Sequence, residues 1–450
     1  MMKRFLKMMS IGLIIGASLA FVACNKQEQG AAGGSKITIT TSNLGYAGPV
    51  NGKLDDPLNA GNSAAILFRQ RAEEKYPDVT WEWVDNGWAE SLDAKQRSLI
   101  AAGTPPTALT GEAFMPEYAD AGLLQEVPAW VLEGVNPSFV LRGSDGKAYA
   151  LANNTSTFML FYNKDLLRKA GLDPEKPPTT WAEWKEMSRK VTEAGKGQYW
   201  GGGIPSWPNN GGSFRNTPFF RQLGTDFMVN GKIDLNDPKL QEVLQYMREM
   251  NAYFPPGLGN GNAGEDPLWN AFDAGTTAPA DSRIIAFVVD GAWRINSAQN
   301  MDLGVAPLPL PPGGKAGNCL VGSVFAGVAA GISKEAADIY WDFYRNIILS
   351  EEMQKLSIFE NGRAPALQSV LSNPANFEGR GYKDADLAAV RQAKDDVLNG
   401  SYTGLVSFKK NSNEIWEIIN SQVLQRTTMT NEPIATICTQ AQARIDALLR

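Results

Sequence analysis

Residues 72–84, AEEKYPDVTWEWV, contain the step that decides the fold, because a predicted helix passes directly into a predicted strand. The helix is indicated by apolar residues that share one face up to Tyr76, with Ser63 as a candidate N-cap. The strand is VTWEWV, residues 79–84, which is rich in β-branched and aromatic side chains. A helix that leads into a strand in this way indicates an α/β fold.

The elements on either side continue the alternation. Before the helix, KITITT at residues 36–41 alternates with period two and predicts a strand. After the second strand, a helix is predicted from about Ser91 until Gly103, followed by a short apolar segment at residues 107–110 and a helix that ends near Gly122. This order predicts a mostly parallel α/β sheet.

Composition describes a folded chain with an acidic body. Hydrophobic residues make up 43% and charged residues 20% of the 450 residues, which suits a globular protein. The formal net charge is -6, and it becomes -9 once the basic residues Lys3, Arg4 and Lys7 of the N-terminal segment are removed. An acidic body argues against a nucleic-acid partner, which needs a basic surface.

The residues that the chain lacks exclude several chemistries. There is no histidine, which removes Ser-His-Asp and Cys-His nucleophile systems and every zinc site that needs imidazole. No G-x-x-x-x-G-K-[ST] motif occurs, so nucleotide hydrolysis through a P-loop is excluded. We expect no catalytic residue, no metal and no cofactor.

The N-terminal segment has the layout of a secretory signal peptide. Basic residues precede an uncharged run, Met8 to Ala23, which is shorter than the ~20 apolar residues that span a bilayer. Residues 21–24, FVAC, resemble the lipobox of bacterial lipoproteins, with Phe21 in place of the usual Leu. We therefore expect a signal peptide at residues 1–23, lipidation of Cys24 and a flexible tether at residues 24–35. Ordinary secretion with Cys24 incidental is the alternative.

The other two cysteines allow two interpretations. Cys319 and Cys438 remain if Cys24 carries lipid, and they are a candidate disulfide in an oxidising compartment. Two buried free thiols are the alternative.

Segments distributed along the chain resemble one family in the same order. The segments are AEEKYPDVTWEWV (72–84), SLIAAGTPPTAL (98–109), EYADAGLLQEV (117–127), the run from GKAYAL to WAEW (146–184), DGAWRIN (290–296), the run from LGVAPL to AAGIS (303–333) and NGRAPAL (361–367). They are similar to extracellular solute-binding proteins of family 1, the sugar-binding lipoproteins of ABC importers. Between FDAG at 272–275 and the GAW at 291–293, this chain has a longer insertion than the family usually has, so contacts from that loop differ from the family pattern.

The resemblance implies a two-lobe α/β architecture, the type II periplasmic-binding-protein fold, with a hinge and a ligand cleft between the lobes. Lobe 1 would comprise residues 36–150 plus 320–363, and lobe 2 residues 151–319 plus 364–450. The chain would cross between the lobes near residues 149–154, 319–325 and 363–366.

The resemblance also implies a function. A sugar or oligosaccharide would bind between the lobes, closure would follow, and the closed form would be recognised by the permease subunits of an ABC transporter. We expect a monomer that works outside the cytoplasm, anchored to a membrane by lipid.

Tryptophans outside the helices are candidate platforms for the C–H face of a pyranose. Trp207 lies in a predicted loop, GGGIPSWPNNGG at 201–212, beside the amide of Asn209, whereas Trp293 occupies the family's usual stacking position and Trp88 follows the second strand. Packing between the lobes is the alternative for each. Four other tryptophans are predicted to lie in the core, the second pair on a helix capped by Thr180 and Glu183: Trp81, Trp83, Trp181 and Trp184.

Polar candidates follow strand ends and crossings, where α/β sheets present ligand loops. Glu112 follows the third strand, at a position where the family commonly places a carboxylate for sugar hydroxyls. Each candidate has an alternative role as a turn or cap residue, and Arg363 as a hinge residue. Besides Glu112 and Asn209, the candidates are Asn43, Tyr46, Asn154, Ser156, Ser323 and Arg363.

Two other functions stay open. A lipoprotein glycosidase would use the same aromatic residues, and the 48 acidic residues always offer a pair of carboxylates. A binder of a non-sugar solute, such as a glycerol-phosphate ester or a polyamine, would share the fold.

Overall fold

The structure is a computed structural model in which Ile37–Arg450 form one compact unit. It describes residues 36–42, 63–84, 86–262, 264–274, 282–295, 301–316, 324–378, 384–399, 406, 408 and 410–450. Among these residues, no helix is both long and apolar enough to cross a membrane. Cys438 is a buried free thiol, whereas Cys24 and Cys319 lie outside the described residues.

The described residues form a mixed α/β structure. The strands are β1 (Ile37–Ser42), β2 (Val79–Val84), β3 (Ala108–Gly111), β4 (Val140–Arg142), β5 (Ala148–Ala152), β6 (Asn154–Thr155), β7 (Phe158–Asn163), β8 (Phe287–Gly291), β9 (Leu303–Ala306), β10 (Phe325–Val328) and β11 (Ala364–Pro365). The α-helices are α1 (Ser63–Lys75), α2 (Ala89–Ala101), α3 (Met115–Asp120), α4 (Lys164–Lys169), α5 (Trp181–Gly195), α6 (Asn210–Gln222), α7 (Pro238–Asn251), α8 (Glu265–Asp273), α9 (Lys334–Phe343), α10 (Glu351–Asn361), α11 (Gln368–Leu371), α12 (Asp384–Leu398), α13 (Ser412–Glu417), α14 (Arg426–Met429) and α15 (Ile434–Leu448).

The N-terminal elements confirm the predicted alternation. β1 and β2 form where the period-two patterns lie and pair in parallel, and α1 buries Phe68 and Ala72 from its predicted face. At α5 the Thr180 hydroxyl accepts a hydrogen bond from the Glu183 backbone, and the Glu183 carboxylate accepts one from the Thr180 backbone. Each of these elements is determined by residues that are close together in the sequence, and for this reason the sequence alone predicts it.

The first sheet has six strands in the order β2-β1-β3-β10-β5-β4, and it is less parallel than expected. Only the pairs β1–β2 and β1–β3 are parallel, whereas β10 is antiparallel to both β3 and β5. The expectation of a mostly parallel sheet was wrong for two reasons. β4 and β5 are joined by a short connection without a crossover helix, and β10 enters the sheet from a distant part of the chain.

The second sheet is small and antiparallel, in the order β8-β7-β9. Its central strand, FMLFYN, is buried at every position. Phe158, Leu160 and Tyr162 belong to one hydrophobic core, whereas Met159 and Phe161 belong to another. Since successive side chains of a strand point to opposite faces, β7 is covered on both sides.

The two sheets have separate cores. The core of the first sheet contains Ile39 and Val328 and also takes in the later segment from Ala364 to Val397. The core of the second sheet contains Trp184 and Phe219, together with the C-terminal segment from Phe408 to Ile445. Trp181 and Trp184 are buried as predicted, and Trp81 and Trp83 stack on each other, half-buried, against the first core.

Candidate functional site

Two of the predicted crossing segments lie side by side. β6 pairs with β11 in a two-stranded antiparallel ribbon, with Thr155 opposite Ala364 and Asn154 opposite Pro365. The guanidinium of Arg363 donates from Nη1 to Oδ1 of buried Asn154 at 3.1 Å. The ribbon therefore brings two candidates, Asn154 and Arg363, into direct contact at the junction of the two cores.

A buried glutamine that sequence reasoning missed fixes this ribbon. Gln354 on α10 has no exposed surface, and its Nε2 donates to the backbone oxygen of Asn153 at 2.9 Å. Its Oε1 accepts from the backbone nitrogens of Ala366 at 2.7 Å and Leu367 at 3.2 Å. One side chain thus satisfies buried backbone groups on both crossing segments.

Trp293 lies at the exit of the second sheet, in a short 3-10 turn, Ala292–Arg294, that follows β8. The strand ends at Gly291, two residues before Trp293. Its ring lies over Gly291, where an added Cβ would come within 2.0 Å of it. Phe158 meets the ring edge-on, with centroids 5.5 Å apart at 76°. The ring is half-buried and its orientation is defined by both neighbours.

A network of ion pairs lies directly beside Trp293. Buried Arg215 donates from Nη2 to Oδ1 of Asp290 at 2.7 Å and is 3.0 Å from Oε2 of Glu265. Arg294 donates from Nη2 to Oε1 of Glu265 at 2.7 Å. The same oxygen accepts from the indole nitrogen of Trp293 at 3.4 Å. Sequence reasoning missed Arg215 and Glu265. Neither residue lies in a recognisable motif, and the two come together only when the chain folds.

The pKa values of the two carboxyls move in opposite directions. Burial would raise the pKa of Glu265, but Arg215 and Arg294 hold it at about 2. Burial raises the pKa of Asp290 to about 6, with the negative charge of Glu265 adding to the effect and Arg215 opposing it. Glu265 therefore stays ionised at neutral pH, and it is the permanent acceptor of the network.

Trp207 lies in the core rather than at an open surface. It has no exposed surface, and its indole nitrogen donates to the backbone oxygen of Leu258 at 2.9 Å. The Arg215 guanidinium lies 5.4 Å from its ring centroid and 6.0 Å from that of Phe158. This placement favours the packing alternative for Trp207. Asn209 caps α6 by accepting from the backbone nitrogen of Gly212 at 3.2 Å.

The pKa of Glu112 responds to burial and to charged residues near both sheets. Glu112 is half-buried at the end of β3, and burial raises its pKa to about 8. Arg363 opposes this shift, whereas Glu90 and Glu265 add to it. Glu112 and Glu90 follow strands of the first sheet, and Glu265 begins α8, which contacts β8 of the second sheet, so carboxylates from the surroundings of both sheets influence one another. We call these residues the junction cluster: Glu90, Glu112, Asn154, Glu265, Trp293 and Arg363.

The remaining candidates divide into three groups. Trp88 is 46% exposed and precedes α2, two positions from Glu90. Ser156 is buried next to β6, and its hydroxyl has no hydrogen-bond partner in the described part of the chain. Asn43, Tyr46 and Ser323 lie outside the described residues.

Comparison with known proteins identifies the family. The sequence profile described as "Bacterial extracellular solute-binding protein" matches residues 55–354, two thirds of the chain. The chain belongs to this family. Among curated relatives, the sn-glycerol-3-phosphate-binding periplasmic protein UgpB of Salmonella typhimurium is 27% identical over 242 residues, which cover 51% of this chain and 52% of that protein. UgpB of Pectobacterium atrosepticum is 28% identical over 268 residues, covering 57% and 55%. The chain spans about half the length of the curated relatives it matches.

Solved structures show the fold of this member of the solute-binding family. Maltose-bound MalE3 of T. maritima superposes with a TM-score of 0.70 at 20% identity, covering 92% of this chain and 99% of that one. UgpB of Mycobacterium tuberculosis, in complex with glycerophosphocholine, superposes with a TM-score of 0.67 at 17% identity, covering 93% and 99%. The fold is the two-lobe α/β type II architecture, and the sequence-based fold prediction is confirmed.

Proposed function

We propose that this solute-binding protein captures a sugar or oligosaccharide between its lobes and delivers it to the permease of an ABC importer. The observation that carries the proposal is the junction cluster. There the indole nitrogen of Trp293 donates to Glu265, Arg363 donates to Asn154, and the charge of Arg363 acts on the Glu112 carboxyl. A pyranose needs an aromatic face for its C–H surface and fixed polar groups for its hydroxyls.

The lobes of this proposal follow the two sheets. Residues 36–150 plus 320–363 make up lobe 1, and residues 151–319 with the C-terminal segment make up lobe 2. The core contacts favour one change to this division. Ala364, Leu371 and Val397 pack in the core of the first sheet, which supports assigning 364–398 to lobe 1 rather than lobe 2.

Within the cleft, we assign ligand contacts to Trp293, Glu112, Asn154 and Arg363. Asn43, Tyr46, Ser156, Ser323 and Trp88 stay predicted contacts. We assign Trp207 and Asn209 a structural role in the loop before α6 and not a ligand contact. Trp207 packs on Arg215, and Asn209 caps the helix.

The curated relatives favour a second candidate, a glycerol-phosphate ester. Charge at the junction argues against a phosphate dianion as the preferred ligand. Arg215 and Arg294 each pair with carboxylates, and Arg363 bonds to Asn154 and lies in the field of Glu112. A phosphate would have to compete with these groups for each guanidinium.

A thermal-shift screen tests the choice of ligand. Maltose, maltotriose and mannotriose are compared with sn-glycerol 3-phosphate and glycerophosphocholine, since a ligand at 100 times its dissociation constant stabilises by about 2.7 kcal/mol. We expect at least one neutral oligosaccharide to raise the melting temperature and sn-glycerol 3-phosphate to leave it unchanged. Stabilisation by the phosphate compounds alone would assign the second candidate, and release of reducing sugar during incubation would indicate a glycosidase.

We also propose that Cys24 carries a lipid anchor that holds a monomer at a membrane outside the cytoplasm. The basis is the signal-peptide layout and the FVAC sequence, which lie outside the described residues. Cys24→Ser behind a cleavable secretion signal should release the protein from membranes and leave ligand binding intact. Persistent membrane association of that variant would contradict the anchor.

A further inference from the structure

We propose that Glu265 is the positioning residue that holds the Trp293 ring in the orientation in which it receives a ligand. The proposal rests on the proposed function, because it concerns the aromatic platform of that site. The proposal assigns the orientation of the Trp293 ring to the Glu265 carboxylate, which lies in no sequence motif. The Glu265 carboxylate is held in turn by Arg215, in the buried core of lobe 2.

The Trp293 ring has three neighbours, and each restricts a different movement. Gly291 lies beneath the ring, where a side chain as small as that of alanine would collide with it. Phe158 meets its edge nearly at a right angle. Glu265 accepts from the indole nitrogen and so fixes which edge of the ring points toward α8. The ring contacts of Gly291 and Phe158 are apolar, so among these three neighbours only Glu265 defines that edge.

Glu265 is itself held by two guanidinium groups. Arg294 binds Oε1 at 2.7 Å and Arg215 binds Oε2 at 3.0 Å, so each carboxylate oxygen has a cationic partner. The Glu265 side chain is 34% exposed, which leaves it at the edge of the site rather than within the core. A carboxylate with both oxygens occupied has little freedom to rotate.

The chain of contacts ends in the core, at Arg215. Its side chain is 2% exposed, it bonds to buried Asp290, and its guanidinium lies between the rings of Trp207 and Phe158. A cation between two aromatic faces that is also paired with a buried carboxylate is fixed in position. The buried position of Trp207 thus supports the platform indirectly, by holding Arg215.

The neighbouring residue provides a matched control. Asp266 is the next residue on α8 and also binds Arg294, at 2.9 Å. Its side chain is 82% exposed, whereas the bonds to Trp293 and Arg215 are made by Glu265. Asp266→Asn therefore removes a carboxylate from the same helix turn and the same arginine without touching the platform.

The first measurement needs no ligand. The protein is labelled with 5-fluorotryptophan, and the fluorine resonance of Trp293 is assigned by its loss in Trp293→Phe. Glu265→Ala should shift or broaden that resonance, and Glu265→Gln, which keeps an acceptor oxygen at the same reach, should restore it in part. Asp266→Asn should leave it unchanged. A Trp293 resonance in folded Glu265→Ala that coincides with the wild-type resonance overturns the proposal.

Folding of the variants is checked by circular dichroism. If Glu265→Ala does not fold, Glu265→Asp decides, because it keeps the charge beside both arginines but withdraws the carboxylate from the indole by one methylene. A wild-type resonance in Glu265→Asp then overturns the proposal, and a shifted one supports it.

The second measurement is binding of maltotriose, or of whichever sugar in the screen stabilises the wild type most. We expect Glu265→Ala to weaken binding by roughly tenfold, Glu265→Gln by less, and Asp266→Asn by less than about twofold. Equal affinity in wild type and folded Glu265→Ala overturns the proposal. A wild type that binds no sugar is a failure of the proposed function instead, and the fluorine spectra still decide whether Glu265 orients the ring.

Discussion

The raised pKa of Glu112 makes the stability of the protein depend on pH. Its folded-state pKa of about 8 lies above the ordinary value of 4.5, so the folded protein binds this proton more tightly than the unfolded chain does. The resulting stabilisation is fully present below about pH 4.5 and is lost as pH rises through 8. We therefore expect the melting temperature to fall between pH 5 and pH 8.5.

Glu112→Gln should flatten that dependence and raise the melting temperature at pH 8 relative to the wild type. The pH dependence of the melting temperature is simple to interpret because the chain has no histidine. Asp290, with its pKa of about 6, also lowers the melting temperature as pH rises, and it accounts for the slope that remains in Glu112→Gln. Glu126→Gln, at an exposed carboxylate paired with Lys147, is the control and should retain the wild-type slope. An equal slope in Glu112→Gln and wild type would place this carboxyl in water rather than in the junction.

Arg215 contributes to stability mainly by neutralising buried carboxylates. Arg215→Met keeps much of the side-chain volume beside Trp207 and Phe158 but leaves buried Asp290 without its 2.7 Å ion pair and with Arg294, at 3.8 Å, as a more distant cation. Breaking a buried pair in this way costs about 3–5 kcal/mol, to be measured by urea denaturation. The control is Arg168→Met, which removes exposed pairs with Asp165 and Asp302 and should cost about 1 kcal/mol or less.

A double variant separates the charge from the packing. Adding Asp290→Asn to Arg215→Met removes the uncompensated carboxylate, so part of the lost stability should return. If the double variant is as unstable as the sum of the two single variants, then the packing of the guanidinium between the rings is the larger contribution.

At the scale of elements, α10 ties the crossing segments together through Gln354. Gln354→Leu would leave buried backbone groups of Asn153, Ala366 and Leu367 with fewer partners. Ala366 keeps its backbone bond to the Asn153 oxygen at 3.1 Å, so the Leu367 nitrogen is the group that loses its partner, and we expect a loss of about 1–3 kcal/mol. Hydrogen exchange should accelerate at the amides of Ala366 and Leu367 beyond the change in the rest of the chain.

Lys355→Leu on the same helix is the matched control for Gln354. It removes a surface pair with Glu351 and should leave exchange at the ribbon unchanged. Slow exchange at residues 364–367 in both variants would mean that the β6–β11 pairing holds without the glutamine.

The predictable elements are those whose signals are local. β1, β2, α2 and the capped start of α5 follow from periodicity or from a cap within a few residues. The antiparallel strand β10 was not predictable, because its partners β3 and β5 lie about two hundred residues away in the sequence.

The candidate site residues differ in the same way: those with a signal in the nearby sequence were predicted, and those without one were missed. Asn154, Arg363 and Trp293 were predicted because they lie in segments that resemble the family, and the structure brings Asn154 and Arg363 together. Arg215 and Glu265 lie in no such segment, and their charges only become informative when α6 and α8 place them beside β8. Trp207 was misleading for a related reason, since a glycine-rich loop favours exposure and here the ring is covered by Leu258 and Arg215.

At the scale of the whole molecule, α2 forms hydrogen bonds with α6 and α13, which the proposed division places in lobe 2. Its residue Asp93 accepts from Asn413 of α13 at 2.5 Å, and Glu90 accepts from the backbone nitrogen of Asn210 at 3.2 Å. Asp93 also accepts from Arg97 and Tyr118 within lobe 1, so it stays paired when the lobes separate. In the proposed lobe division both contacts join lobe 1 to lobe 2, so we expect them to break when the lobes open and to contribute to the closing equilibrium.

Asn413→Ala should therefore shift the ligand-free protein toward open forms without unfolding it. X-ray scattering should give a larger radius of gyration than in the wild type, and a saturating sugar should bring both proteins to the same smaller value. A part-buried hydrogen bond to a carboxylate is worth about 1.5–3 kcal/mol, so the sugar should bind roughly ten- to a hundredfold more weakly. Asn346→Ala removes a comparable bond to Asp342 within lobe 1 and should change neither quantity. If the radius is unchanged by sugar in the wild type, the two lobes do not close on this ligand, and if Asn413→Ala matches the wild type in both measurements, α2 does not contribute to closure.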